Sequence, residues 1–175
     1  MDKRKIENFR VKKDITDTLL ALMHEKSFAK ITISEIIEKA NVARASFYRN
    51  YDSKEDVLLT LVDDVLHDFK TKAKYDLSNY YTYEHVLRCF IYFKKYEKYV
   101  LGLYEFGYGI RLLEKLNKFH EEITPGNAMQ DVDKYRLYIF MGALFNTAVT
   151  WLRNGSNESA EDVAKVFCKE ICGME

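Results

Sequence analysis

Proline occurs once in this sequence and glycine seven times. Average usage over a chain of 175 residues would give about nine and about twelve. So few chain breakers argue against a sandwich, a barrel, a collagen-like repeat or a disordered chain, and favour long helices. Cysteine is also scarce and odd in number: Cys89, Cys168 and Cys172. With no secretory leader pattern, three thiols point to a reducing compartment, and a cytoplasmic location is expected. The longest apolar run, Leu137 to Phe145, stops at Asn146, well short of the roughly 18 residues a membrane helix needs. No repeat and no low-complexity tract is present. Net charge is absent too, with 27 Lys and Arg against 27 Asp and Glu.

What is present is helical periodicity on a composition that is 47% hydrophobic, enough to bury a core without disulfide or metal staples. Residues 1–13 carry six basic side chains with little apolar period and read as a basic arm. From about Val11 to Glu25 the positions Ile15, Leu19, Leu22 and Met23 recur at helical spacing. Thr32-Ile33-Ser34-Glu35 has the form of a capping box, the Thr32 hydroxyl reaching forward and the Glu35 carboxylate reaching back. A short helix follows, and Asn41 then suits a left-handed turn. A second short helix runs to about Asn50, and Asp52 or Ser53 caps a longer one over residues 53–73. Helices are expected at Glu84–Tyr96, Lys98–Phe106 and Ile110–Glu121, and Thr124-Pro125-Gly126 makes a firm turn. Two C-terminal helices complete the chain, one from about Val132 to Arg153 that closes on Asn154-Gly155, the other from Ser159 to about Cys172. The fold class is all-α, about nine helices in total, with no segment showing strand alternation.

Residues 32–51 then hold a capped short helix, a tight turn and a second short helix, the plan of a helix-turn-helix. The second helix has an inner side of Val42 and Phe47 and an outer side of Arg44, Ser46, Tyr48, Arg49 and Asn50. Arginine grips guanine in a bidentate fork, and Ser, Tyr and Asn bond phosphates or base edges. Lys54 is placed to neutralise a phosphate. Charge is distributed to match. Residues 1–54 hold 12 basic and 8 acidic side chains, a net of +4, and residues 55–175 hold 15 and 19, a net of −4.

These residues resemble the TetR family of transcriptional regulators. The resemblance rests on Phe28…Ile31-Thr32-Ile33…Ile36…Ala40-Asn41-Val42, then Ser46-Phe47-Tyr48…Tyr51…Ser53-Lys54-Glu55…Leu58, roughly 60 residues with the basic first helix. Asn41 stands where that family most often has glycine. The resemblance implies a three-helix DNA-binding domain at residues 1–53 and a helical regulatory and dimerisation domain at 54–175. It also implies a homodimer on a palindromic double-stranded operator, and an effector of unknown identity. By family position Arg44, Ala45 and Ser46 would face bases. Thr32, Ser34, Ala43, Tyr48, Asn50 and Lys54 would complete the contact surface, with Arg49 able to serve either role.

The middle of the chain is aromatic: of 25 aromatic residues, 14 fall between Phe69 and Phe119. Phe69, Phe90, Phe93, Tyr96, Tyr99, Tyr104, Glu105 and Tyr108 are the expected lining of an effector pocket, against the alternative that these rings are ordinary packing. Surplus apolar positions on the last two helices, Ile139, Ala143, Asn146, Val149, Thr150, Val163, Val166 and Phe167, are expected at a dimer interface. Asp64, His67 and Asp68 lie within one turn but read as a solvated face, and Cys168 with Cys172 lack partners for a zinc set. His120-Glu121-Glu122 reads as an ordinary helix end. No nucleophile, phosphate-loop, metalloprotease or dinucleotide motif is present. No enzyme activity, cofactor or resident metal is therefore expected. The expectation is a ligand-responsive repressor. The alternatives are a regulator controlled by a protein partner, an all-α enzyme or lipid carrier, and an architectural DNA binder.

Overall fold

The computed structural model describes residues 3–124 and 131–173. The expected turn at Pro125-Gly126 lies outside them. Among the described residues the chain is helical throughout and holds no strand. It divides into two compact units, Met1–Asp64 and Val65–Glu175.

The first unit contains α1 (Lys3–Glu25), α2 (Ile33–Lys39), α3 (Arg44–Tyr48) and the start of α4 (Lys54–Thr71). The basic arm is not a separate element, since α1 runs through it from Lys3. Lys and Arg are good helix formers and no breaker interrupts the segment, so the helix extends N-terminally of its apolar stripe. The capping box forms by half. Thr32 Oγ1 accepts from the Glu35 amide at 3.2 Å, while the Glu35 carboxylate turns to Lys26 Nζ at 2.6 and 2.7 Å. That ammonium holds the Glu35 carboxyl below its ordinary pKa. Asn41 has φ 52° and makes the turn between α2 and α3. Ser53 Oγ accepts from the Asp56 amide at 3.1 Å and caps α4. Ile15, Leu19, Leu22, Ile36, Phe47 and Val57 are fully enclosed and form the core of this unit. Tyr51 closes it beside Phe47, its phenol pushed above the ordinary pKa by burial.

The second unit holds the end of α4, then α5 (Tyr83–Lys95), α6 (Glu97–Leu103), α7 (Gly109–Ile123), α8 (Asp131–Arg153) and α9 (Ala160–Ile171). A wide turn at residues 104–108 separates α6 from α7, with Gly107 at φ 80°. Gly155, at φ 86°, ends α8. The Ser156 amide returns to the Trp151 carbonyl and the Gly155 amide to that of Leu152, a Schellman closure. α5 packs on α9 and α7 on α8. The core between them is Phe90, Leu103, Leu137, Phe140, Met141, Ala148 and Ala164. Val86 and Phe119 add to it from α5 and α7.

Candidate nucleic-acid interface

The outer surface of α2 and α3 begins with an absence of acid. From Lys39 to Tyr51 the sequence contains no carboxylate. Elsewhere in the first unit four basic side chains pair with carboxylates: Arg10 with Asp14, Lys13 with Asp17, Lys26 with Glu35 and Lys39 with Glu25. Arg44 and Arg49 differ. Their hydrogen-bond partners are neutral. Arg44 reaches Ser34 Oγ and Tyr48 OH at 3.5 Å each and lies over the Tyr48 ring, 5.5 Å from its centroid. Arg49 donates to Ser46 Oγ at 3.1 Å. Both guanidiniums are exposed, and the weak neutral bonds orient them without neutralising them.

Phe47 positions the whole face. It is fully buried on the inner side of α3, edge-on to Tyr48 with centroids 5.5 Å apart. The helical period then sends Ala43, Arg44, Ala45 and Tyr48 outward. Thr32, Ser34 and Arg49 are exposed beside them, and Ser46 is half-buried. Ala43 and Ala45 leave the backbone approachable at the centre of this surface.

Two expected contact residues are otherwise engaged. Lys54 points inward: its Nζ donates to the carbonyls of Phe28 and Ile31 at 2.7 Å each and of Ala29 at 3.3 Å, above the Phe28 ring. An ammonium has three donors and all three are spent here, so Lys54 closes the 27–31 turn and offers nothing to a phosphate. Asn50 is half-buried and its amide donates to the Ser46 carbonyl at 2.8 Å, ending α3.

In the second unit the expected pocket residues are dispersed. Phe90 is enclosed against Trp151 and Phe167, and Phe93 packs on Phe145, so both belong to the core. Tyr104 lies partly exposed against Phe145 and Arg153. Tyr96 and Tyr99 pair with each other, Tyr108 lies against Arg111, and Glu105 is exposed. Phe69 sits apart from all of these, among His85, Tyr92 and Phe119. A cleft of about 440 Å³ opens instead between α7 and α8, lined by Glu114, Asn117, Lys118, Glu121 and Tyr138.

On the last two helices, Tyr135, Ile139, Asn146 and Thr150 form an exposed stripe at helical spacing, with Ala143 half-buried within it. Val166 stands out on α9, and Ile139 and Val166 are each 65% exposed. Val163 is half-buried. Val149 and Phe167, expected in the same surface, face the core instead. Phe167 meets Phe90 and Phe140 with centroids 6.0 and 5.3 Å away, which places it on the inner side of α9.

One polar cluster was not anticipated from the sequence. His85 and His120 are 0% and 2% exposed, with Nε2 atoms 3.0 Å apart, and Cys89 lies beside them. The tautomers follow from the partners. The Leu116 carbonyl can only accept, so His120 carries its proton on Nδ1, 2.9 Å away. His120 Nε2 is then the acceptor and His85 Nε2 the donor. His85 Nδ1, bare, faces Tyr75 OH at 3.5 Å. Burial pushes both imidazoles down, His85 to about 3 and His120 to about 4, and pushes the Cys89 thiol up. His120 is thus no ordinary helix end. The legible signal was His85 and Cys89 four residues apart on one helix; the pairing with His120 is made only by packing α5 against α7. The aspartates of the 64–68 turn carry no comparable arrangement: Asp68 is taken up by Lys72 Nζ at 2.7 Å and by Tyr92 OH at 3.0 Å.

A helix-turn-helix with a basic outer face, followed by a separate helical body, is an arrangement shared by helical DNA-reading proteins that carry a second module. Residues 15–61 match the sequence model of bacterial regulatory proteins of the tetR family. Over 65 residues it is 37% identical to the HTH-type transcriptional regulator YxbF of Bacillus subtilis (strain 168). That match spans 35% of this chain and 16% of the relative's length. The fold extends the likeness over the whole chain. A TetR transcriptional regulator from Streptococcus agalactiae 2603V superposes with a TM-score of 0.64 at 21% identity, covering 96% of this chain and 97% of that one. The dihydroxyacetone kinase operon activator DhaS gives 0.59 at 17% identity, with 93% and 94% covered. The fatty acid degradation regulator FadR from Bacillus halodurans gives 0.57 at 18%, with 93% and 95% covered. No helix among the described residues is long and apolar enough to cross a membrane.

Proposed function

We propose that this protein is a sequence-specific, DNA-binding transcriptional regulator of the cytoplasm, a repressor that binds a palindromic operator as a homodimer and releases it on sensing an effector. The observation that carries the reading is the pair Arg44 and Arg49, exposed on α3 and at its C-terminal cap with neutral hydrogen-bond partners, on a stretch from Lys39 to Tyr51 that contains no carboxylate. Arg44, Ala45 and Ser46 read base edges in the major groove. Thr32, Ser34, Ala43, Tyr48 and Arg49 hold the phosphates, and the second donor of the Asn50 amide joins them. Two such helices seat together when about 34–36 Å apart, one turn of DNA.

The stripe of Tyr135, Ile139, Ala143, Asn146 and Thr150, with Val163 and Val166, supplies the dimer contact, since a two-fold pairing covers the same surface on both copies at once. DNA reading belongs to residues 1–53 and regulation to 54–175, with α4 covalently common to both structural units. An effector held by the second unit acts through α4. A coupling of about 1–3 kcal/mol suffices to weaken the operator complex 5- to 150-fold. Relatives by fold are named both as an operon activator and as a regulator of fatty acid degradation, so the sign of regulation is settled by transcription from the bound promoter with and without protein. The test of the DNA reading is selection from a pool of random duplexes. Enrichment of one two-fold symmetric motif by the wild type and of none by Arg44→Ala is expected; enrichment of no motif by the wild type refutes the proposal.

A further inference from the structure

We propose that His85, Cys89 and His120 form a binding site for a single monovalent copper ion, coordinated by the two Nε2 atoms and the Sγ. The three donor atoms lie within 4.8 Å of one another, and all three residues are buried. First-row ions hold imidazole nitrogens at about 2.0–2.1 Å, which separates two such donors by about 3.4 Å. The nitrogens stand 3.0 Å apart, so roughly a few tenths of an ångström of separation admits the ion between them.

The surroundings are those of metal-binding histidines, whose second nitrogen is held by a partner that fixes the ring. His120 already presents Nε2 unprotonated because the Leu116 carbonyl keeps the proton on Nδ1. His85 presents its own Nε2 by moving one proton to Nδ1, where the Tyr75 oxygen accepts it. Cys89 releases its thiol proton to solvent as the Cu–S bond forms, so one proton leaves for each ion bound and no electron is transferred.

Charge and softness choose the ion. The donor set has one thiolate and two neutral imidazoles and no carboxylate, which excludes Mg²⁺ and Ca²⁺ by ligand type. A divalent zinc ion here leaves a net +1 in a pocket walled by Phe69, Tyr75, Tyr80 and Phe119, with the Arg88 cation stacked on the Phe69 ring. Burying uncompensated charge is costly. A monovalent copper ion with the Cys89 thiolate leaves zero. Three donors also satisfy that ion, whereas structural zinc sites take four.

The experiment titrates the reduced, full-length protein under anaerobic conditions with copper(I) held by a chromophoric chelator. Withdrawal of one equivalent is expected, with an X-ray absorption spectrum showing one sulfur and two imidazole donors. Cys89→Ser and His120→Leu should weaken retention by more than about 100-fold, beyond the 10- to 100-fold that losing a supporting partner costs. The Cys168→Ser/Cys172→Ser variant should bind as the wild type does. Three results overturn the proposal: no withdrawal by the wild type, retention that follows Cys168 and Cys172 instead, or displacement of the copper by about tenfold excess zinc. The spectrum of the wild type decides the ligand set even where a substituted chain fails to fold.

Discussion

Acidification of the metal-free protein tests the buried histidine pair directly. In the folded chain both rings are neutral, with pKa values lowered from 6.5 to about 3 for His85 and about 4 for His120, chiefly by burial. In the unfolded chain they titrate near the ordinary value. Below pH 6.5 the unfolded state therefore binds more protons, so stability falls as pH falls, and keeps falling until the folded-state values are reached. The slope is about 1.4 kcal/mol per pH unit for each histidine. From pH 7 to pH 5 this amounts to about 2 kcal/mol per ring and about 4 kcal/mol for the pair, a large part of the 5–15 kcal/mol that holds a typical domain together. Carboxylates with lowered values, such as Asp68 and Asp162, add their own loss only at lower pH. Urea unfolding of the metal-free chain at pH 7, 6 and 5 measures the effect, with His85→Leu/His120→Leu as control. Replacing both partners by apolar groups removes the titration without leaving an orphaned donor. The wild type should lose stability steeply while the double variant stays flat to within about 1 kcal/mol. A wild type as flat as the variant refutes the buried neutral pair.

Other substitutions probe the two units separately. Phe47→Ala should cost about 3–5 kcal/mol, because a fully enclosed ring leaves a cavity under α3; thermal unfolding followed by circular dichroism measures it. Asn41→Ala should cost about 1–2 kcal/mol at φ 52°, while Asn41→Gly should be tolerated in the same assay. Lys54→Met should lower stability by about 1–3 kcal/mol through three orphaned carbonyls and leave the salt dependence of DNA binding unchanged; loss of one phosphate contact from the salt slope would show that Lys54 faces the DNA after all. Ile139→Asp/Val166→Asp should convert a dimer to a monomer in sedimentation velocity without altering the helical content.

The elements were largely legible because each has local causes. The Ile15, Leu19, Leu22 spacing, the Thr32 and Ser159 caps, the left-handed Asn41 and the Asn154-Gly155 stop each act within a few residues. The outer face of α3 was legible for the same reason, since one buried residue, Phe47, sets the direction of its neighbours. The residues that departed from expectation are those whose partners lie far along the chain. Lys54 turns to carbonyls 23–26 residues away, Phe167 to Phe90 across two helices, and His120 to a histidine 35 residues away. An aromatic-rich segment likewise does not disclose which rings meet. Phe90 and Phe93 are spent on the core, and Phe69 joins the histidines, because helix packing rather than spacing assigns their neighbours.

The central claim is that α3 reads DNA through Arg44. Fluorescence anisotropy over a salt series, on the duplex immediately upstream of the protein's own gene or one obtained by selection, measures it for wild type beside Arg44→Ala. Tight wild-type binding with a steep salt slope, weakened in the variant by about 1–3 kcal/mol with discrimination relaxed at one base position, is the predicted result. Equal affinities of wild type and variant, on specific and scrambled duplexes alike, would contradict it.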